Sequence, residues 1–296
     1  MKLKVTIAIF VVAFLGLILL LHANGMSSND HEYSGVASLV DNLEESVEVA
    51  DEQEDNSAEM NVEEPAIPDS IFEICKPAPL DGVSEQIIKK KAYIVSYNKD
   101  TKIPNWVAWY LTGEHSDGPV GRSNAFYEDI EAPAPRATIE DYKGSGWSRG
   151  HMCPAGDNKW NETAMYDSFS LVNVCPQNAN LNSGLWNSLE IDCRRWAKQY
   201  GDIYIVCGPV FLNREHETIG VNKVFVPEAF FKVVLCLNGI PKGLGVIVRN
   251  TDGNKKRNLY YNSIDQVERI TGYDFFPALP DSIEDKVEAY ANIKDW

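Results

Sequence analysis

Between Ser148 and Glu190 the chain reads SRGHMCPAGDNKWNETAMYDSFSLVNVCPQNANLNSGLWNSLE, and this run constrains the fold more than any other. A strand-like segment, Ser168–Cys175, leads into the clearest helix of the sequence, Gly184–Tyr200. Trp186, Leu189, Cys193, Trp196 and Tyr200 recur there at steps of three and four, so one face is apolar and must be buried. Asn182 lies at the helix start. Glu190 and Arg194, one turn apart, flank the apolar stripe on one side, an arrangement that suits the rim of a cleft.

The rest of the pattern is mainly strands. Ala92–Tyr97 and Trp106–Leu111 are apolar runs separated by Asn98-Lys99-Asp100, which predicts a hairpin. Glu131–Arg136 is extended and irregular because of its prolines. Further strands are predicted at Ile203–Cys207, Lys223–Val226, Phe230–Leu237 and Leu244–Val248. A last helix begins at Ser263, with Gln266 as its capping-box partner. Strands in close succession with helices around them predict an α+β fold with a mainly antiparallel central sheet flanked by helices.

The domain organisation follows from composition. Lys2 and Lys4 precede an apolar run from Val5 to Leu21, and Ala23-Asn24-Gly25 offers a small-x-small cleavage site. Residues 1–25 therefore read as a signal peptide or a retained signal-anchor. Either predicts an exported domain: periplasmic, extracellular, or membrane-anchored and facing outside, with membrane contact only through this segment if it is uncleaved. Residues 26–70 hold fourteen Asp and Glu and no Lys or Arg, with few large apolar residues, and read as a disordered acidic linker.

Residues 71–296 read as one domain. Of the 27 Lys and Arg, the two in the leader leave 25 here. Of the 43 Asp and Glu, the fourteen in the linker leave 29. The domain is thus only about four charges negative, and the overall −16 does not exclude a polyanionic substrate. Six cysteines in an exported chain permit disulfides in any of fifteen full pairings, with buried free thiols as the alternative. No CxxC and no Cys/His cluster at zinc spacing occurs.

The polar residues of the central run match the needs of phosphodiester hydrolysis. His151, neutral for the most part at pH 7 with an ordinary pKa near ~6.5, can deprotonate water. Asn182 can anchor a Mg²⁺ ion that keeps most of its waters, and Glu190 can hold those waters. Arg149 and Arg194 can fork onto phosphate oxygens.

These residues also carry a family resemblance. Ser148-Arg149-Gly150-His151, Pro154, Asn173-Val174-Cys175-Pro176-Gln177, Asn182, Trp186 and Leu189-Glu190 resemble the ordered motif of the DNA/RNA non-specific endonucleases. These are the ββα-metal nucleases, which include the secreted Serratia nuclease and mitochondrial endonuclease G. The likeness extends to Asp141–Gly146, Gly208-Pro209-Val210-Phe211, Val226-Pro227 and Phe230-Phe231-Lys232, over about residues 90–275.

The resemblance implies a ββα-metal active-site motif and cleavage of DNA and RNA without sequence preference, leaving 5′-phosphate ends. It implies His151 as general base and Asn182 as direct ligand of Mg²⁺, with Mn²⁺ as a possible substitute. Glu190 would order the metal waters, Arg149 and Arg194 would contact phosphate, and Asn173 would orient the His151 ring. One position departs: the family's Asp before the Arg is Ser148 here, which bears on rate and on the positioning of Arg149. No protein partner is implied.

Each residue also has a plainer reading. Asn182 taken alone reads first as a helix cap, and as a metal ligand only in the company of His151 and Glu190; Arg195, His115 and His216 read as surface groups. Asp157 reads as structural. Lys89-Lys90-Lys91 and Lys255-Lys256-Arg257 read as solvated faces able to add backbone affinity. Two other functions fit the fold: a catalytically degenerate nucleic-acid-binding relative, and a secreted phosphodiesterase acting on small substrates. The first binds without turnover; the second turns over a small diester and spares plasmid.

Overall fold

The computed structural model describes residues 67–296; the leader and almost all of the acidic segment lie outside the described residues. Among the described residues no helix is long and apolar enough to cross a membrane. Helices of seven or more residues are α1 (Asp69–Cys75), α2 (Asn187–Tyr200), α3 (Ile264–Thr271) and α4 (Asp281–Ala289). The strands are β1 (Gln86–Lys89), β2 (Tyr93–Asn98), β3 (Ile103–Thr112), β4 (Ser148–His151), β5 (Val174–Gln177), β6 (Asp202–Val210), β7 (Thr218–Ile219), β8 (Val224–Phe225), β9 (Ala229–Cys236), β10 (Lys242–Arg249) and β11 (Tyr261–Asn262).

Seven strands form one antiparallel sheet in the order β1-β2-β3-β6-β9-β10-β11. Every residue of β9 is buried, as are all but the first of β6, so both faces of the sheet centre are covered. That is why these strands read as continuous apolar runs without alternation. The expected hairpin is β2–β3, with a register shift at Ser96/Tyr97. Trp106, Trp109, Trp186, Trp196, Phe230 and Phe231 are fully buried, each contributing roughly 2–3 kcal/mol by leaving water.

Three expectations are adjusted. Ser168–Cys175 is not one strand: the Ser170 hydroxyl accepts the Val172 N–H and closes a 3₁₀ turn over Leu171–Asn173 before β5 begins. The segment around Lys223–Val226 supplies only β8, a two-residue strand paired with β7 outside the main sheet. The helix expected from Gly184 begins as a wide π turn, Asn182–Trp186, and becomes α-helical at Asn187. Its apolar stripe is buried as expected at Trp186, Leu189, Cys193 and Trp196. All six cysteines are free and buried, which settles the choice between disulfides and thiols.

The run Lys255-Lys256-Arg257 is exposed, as expected, and so is Lys89, while Lys90 is drawn into acidic partners. Lys90 lies 2.7 Å from both Asp129 and Glu131, and Lys89 pairs with Asp69. Arg257 lies 2.8 Å from the buried Asp192. His115 is half-buried rather than on the surface. It stacks on Trp160 at 4.9 Å, and burial pushes its pKa down to about 4. His216 is likewise held, 2.9 Å from Glu228.

Candidate active site

The hairpin β4–β5 and helix α2 form the ββα unit that carries the site. In the β4–β5 register Ser148 faces Gln177 and His151 faces Val174. Gly150 is required by close approach: a Cβ there would collide with the Gln177 side chain. Side chains alternate along the strand, so Ser148 and Gly150 share one face with Gln177, while Arg149 and His151 take the other.

His151 is 8% exposed and boxed by aromatic rings, with Phe126 at 5.1 Å and Phe169 edge-on at 4.9 Å. Its Nε2 is enclosed without a hydrogen-bond partner. Burial first, and the nearby charges of Arg122 and Arg149 second, push the imidazole pKa down to about 3. Trp186 Nε1 donates to the His151 carbonyl at 3.3 Å, tying the π turn to the strand.

Asn173 does not hold the imidazole. Its carboxamide accepts the Cys153 N–H and donates to the carbonyls of Cys153 and Ser168, each at 2.8 Å. It fixes the backbone that follows His151, and the ring is positioned by Phe126 and Phe169. Any help that Asn173 gives in orienting the ring acts through that backbone.

Asn182 sits inside helical backbone, so it is not a cap. The cap is Asn178, whose side chain accepts the N–H groups of Asn180 and Leu181. Asn178 is in turn held by Asn250, whose Oδ1 accepts the Asn178 N–H at 2.8 Å and whose Nδ2 donates to Pro176 and Pro227. The half-exposed Asn182 carboxamide makes no hydrogen bond among the described residues and lines the cleft.

That cleft, about 620 Å³, brings together Arg122, Phe126, Arg149, His151, Asn182 and Glu190, with Ser148 and Lys143 among its other walls. Burial pushes the Glu190 carboxyl up to about 7 against the pull of Lys232.

Arg194 is placed elsewhere. Its Nη1 lies 2.8 Å from the Oδ1 of Asp157, whose Oδ2 accepts the Trp109 indole N–H at 3.1 Å. Arg194 is absent from the cleft lining, so the guanidinium expected to contact phosphate stands outside it. Burial works against the Asp157 carboxylate, and Arg194 and Lys232 hold it.

Two functional groups escape a reading from sequence. Arg122, in a loop, places its guanidinium over Phe169 at 5.3 Å and lines the cleft. Arg149 does the same over Phe126 at 4.4 Å, so two arginines flank the aromatic box of His151. Lys232, 1% exposed, lies between Trp109 and Trp186 at 4.8 and 4.6 Å, with Glu190 and Asp157 as acidic neighbours. The family-like run Phe230-Phe231-Lys232, a lysine inside an apolar strand, is the signal that could have given it a role.

The arrangement has relatives. Nuclease EXOG, mitochondrial, of Xenopus laevis is 35% identical over 204 residues, 63% of this chain and 57% of its own length. Endonuclease G, mitochondrial, of Bos taurus is 34% identical over 213 residues, 67% of this chain and 71% of its own. A nuclease of Nostoc is 33% identical over 222 residues, 68% of this chain and 78% of its own. The chain spans only 57% and 59% of the EXOG relatives of Xenopus and Mus musculus. In three dimensions a chain of the crystal structure of the EndoG/EndoGI complex matches with a TM-score of 0.66 at 27% identity. The match covers 72% of this chain and 92% of that one.

These relatives overturn the expectation of export. EXOG and endonuclease G are mitochondrial nucleases, so an apolar leader on this scaffold does not establish an extracytoplasmic address. The sequence profile of the DNA/RNA non-specific endonucleases matches residues 72–282, and together with the antiparallel sheet and the ββα unit it shows that the chain belongs to that family.

Proposed function

We propose that residues 71–296 form a nuclease unit that hydrolyses phosphodiester bonds of both DNA and RNA without regard to sequence, in a one-metal mechanism that leaves 5′-phosphate ends. The observation that carries this reading is the shared cleft: a neutral, aromatic-boxed His151 with Arg122 and Arg149 beside it and Asn182 and Glu190 on the helical segment.

The residues fit a hard dication. Asn182 and Glu190 offer only oxygen, and the Asn182 carboxamide has no competing hydrogen bond among the described residues. Mg²⁺, with Mn²⁺ as a substitute, suits such donors. Asn182 would hold the ion and Glu190 its waters. When bound it supplies charge neutralisation on the phosphate and the leaving oxygen.

The chain's own groups do the rest. With Nε2 enclosed, Nδ1 is the ring nitrogen left to accept the proton of the attacking water. A ring whose pKa is held near 3 is neutral at physiological pH but a weak base. Phosphate oxygens seated on Arg122 and Arg149 offset the two charges that depress it, so substrate binding strengthens the base in the complex. Contacts aimed at phosphate position the backbone and read no bases.

The test is incubation of purified protein with supercoiled plasmid and with structured RNA, in Mg²⁺ and in EDTA. Cleavage of both at many sites, abolished by EDTA and by His151→Ala, is expected. Binding without cleavage by the wild type, or full activity in EDTA, would overturn the proposal.

A further inference from the structure

A second concentration of oxygen ligands lies on the C-terminal helix pair, and none of its residues lines the cleft. Helix α3 carries Asp265 and Glu268 one turn apart, and α4 carries Glu284 and Glu288 one turn apart. Spacings of three and four put each pair on one helix face. Asp274 joins them from the connecting loop, just past the left-handed Gly272 that ends α3.

The two helices are seated tightly on β10. A Cβ at Gly243 would collide with the Val287 carbonyl, and one at Gly245 would press on Val267 and the Ser263 carbonyl. Glycine at both positions lets the helices settle onto the strand, and that brings their acidic faces together.

One oxygen from each of Asp265, Glu268 and Glu288 lies within 4.8 Å of the others, and the same holds for Asp274, Glu284 and Glu288. Glu288 belongs to both groups. It is only 7% exposed, and its Oε1 is enclosed with no hydrogen-bond partner. Burial and the surrounding carboxylates push its acid up to about 9. Four other carboxylates thus converge on one buried carboxyl whose free oxygen has nothing to bind.

We propose that this cluster is a cation site for a calcium-class dication, seated on Glu288 with Asp265 and Glu268, and with Asp274 and Glu284 closing its other flank. The ligand set is oxygen only, which selects a hard cation. Oxygens around one Ca²⁺ at about 2.4 Å can stand no more than about 4.8 Å apart, a limit that the three groups meet. The number of carboxylates favours Ca²⁺ over Mg²⁺, which keeps most of its waters and binds one or two. Its place in the fold assigns it a structural role, joining α3 to α4 over the β10 side of the sheet.

The alternative occupant is a proton shared between Glu288 and its neighbours, and one set of measurements separates the two. The full chain, stripped with EDTA, is titrated with CaCl₂ by calorimetry and followed by thermal melting. The same is done for Asn182→Ala, which removes the proposed ligand of the cleft metal. One Ca²⁺ per chain is expected in both proteins, with melting raised by Ca²⁺.

Glu288→Gln, which keeps shape and removes charge, is expected to weaken Ca²⁺ at least tenfold, to lose the Ca²⁺-dependent rise in melting, and to melt higher than wild type without metal. The half-buried pair Asp265→Asn and Glu284→Gln serves as a second variant with the same expected loss. Absence of stoichiometric Ca²⁺ binding to the Asn182→Ala protein overturns the site, and so does binding that survives Glu288→Gln or the paired variant unchanged.

Discussion

Arg194 Nη1 stands 2.8 Å from Asp157 Oδ1, a carboxylate that is 1% exposed, and neither residue lines the cleft. The guanidinium is thereby committed to a buried partner. Removing it leaves the buried carboxylate to Lys232 and the Trp109 indole, so the cost is at most the roughly 3–5 kcal/mol of a fully broken buried pair. Arg194→Ala is therefore expected to lose stability of that order in urea titrations, with little change in KM at temperatures where it is folded. Asp157→Asn in the same chain should recover part of the loss. An Arg194→Ala protein of wild-type stability that binds nucleic acid far more weakly would restore the phosphate role.

Arg122 is the better candidate for a phosphate contact. It is exposed, its guanidinium lies on the Phe169 ring, and it lines the cleft. Arg122→Ala should leave melting within about 0.5 kcal/mol of wild type, as for other surface substitutions. It should weaken binding to all sequences alike and reduce the log–log salt slope by about 1. A variant that changes cleavage preference among sequences, at unchanged salt slope, would show that Arg122 reads bases.

The acid limb of metal binding should belong to Glu190. In the free protein burial and the neighbouring arginines hold His151 neutral well below physiological pH, so its protonation does not set that limb. The Glu190 carboxyl, raised to about 7 without metal, must ionise before it can hold metal waters. As pH falls through about 7 it takes up a proton, so Mg²⁺ affinity should drop close to tenfold per unit below that point and level off above it. Calorimetric titration with Mg²⁺ at pH 5.5 and 8 checks this, with proton release expected at the lower pH. Affinity that is flat with pH, or a limb that persists in Glu190→Gln, would assign the titration to another group.

Much of this arrangement was legible because it is local. The stripe from Trp186 to Trp196 fixes the buried face of α2, and that face leaves Asn182 and Glu190 at the cleft. The motif marked Arg149 and His151 as site residues, but the strand that carries them, Ser148–His151, was not among those read from the sequence. Arg122 was not legible, since a loop residue acquires its place only when Phe169 and His151 fold beneath it. Within the basic runs Lys90 was misread for a related reason: it looks solvated until Asp129 arrives from 39 positions away to pair with it. Ser168–Cys175 read as a strand because apolar spacing does not show that the Ser170 hydroxyl will close a turn. The disulfide option rested on an assumed compartment, and the interior thiols do not support it.

Asn178 and Asn182 divide two tasks that sequence alone gave to one residue. Asn178 satisfies the backbone N–H groups of Asn180 and Leu181. Asn178→Ala should therefore cost about 1 kcal/mol of stability, the usual loss for a helix cap. Asn182→Ala should leave stability unchanged and remove Mg²⁺ binding and cleavage by several orders of magnitude, on the scale of what a Lewis acid supplies. Melting curves and metal titrations on the two variants separate the roles. Loss of stability in Asn182→Ala with metal binding intact would reverse them.

Ser148 and Gln177 stand opposite each other in the β4–β5 register, so their side chains share a face. The Gln177 amide is fully buried, and neither its oxygen nor its nitrogen finds a partner. Gly150, on the same face, makes room for that amide but offers it nothing. The family's carboxylate at position 148 would be an acceptor within reach of Gln177 Nε2. Ser148→Asp should then add about 1 kcal/mol of stability, the net worth of one hydrogen bond. It should also stiffen the strand that presents Arg149 and His151, giving activity equal to or above wild type. Gln177→Leu tests the same pairing from the other side: it removes two unsatisfied polar atoms, so it should be tolerated with Ser148 but cancel the gain from Ser148→Asp. A double-mutant cycle measures this coupling directly. A coupling energy near zero would mean that the two side chains do not meet, and that the unpartnered amide needs another explanation.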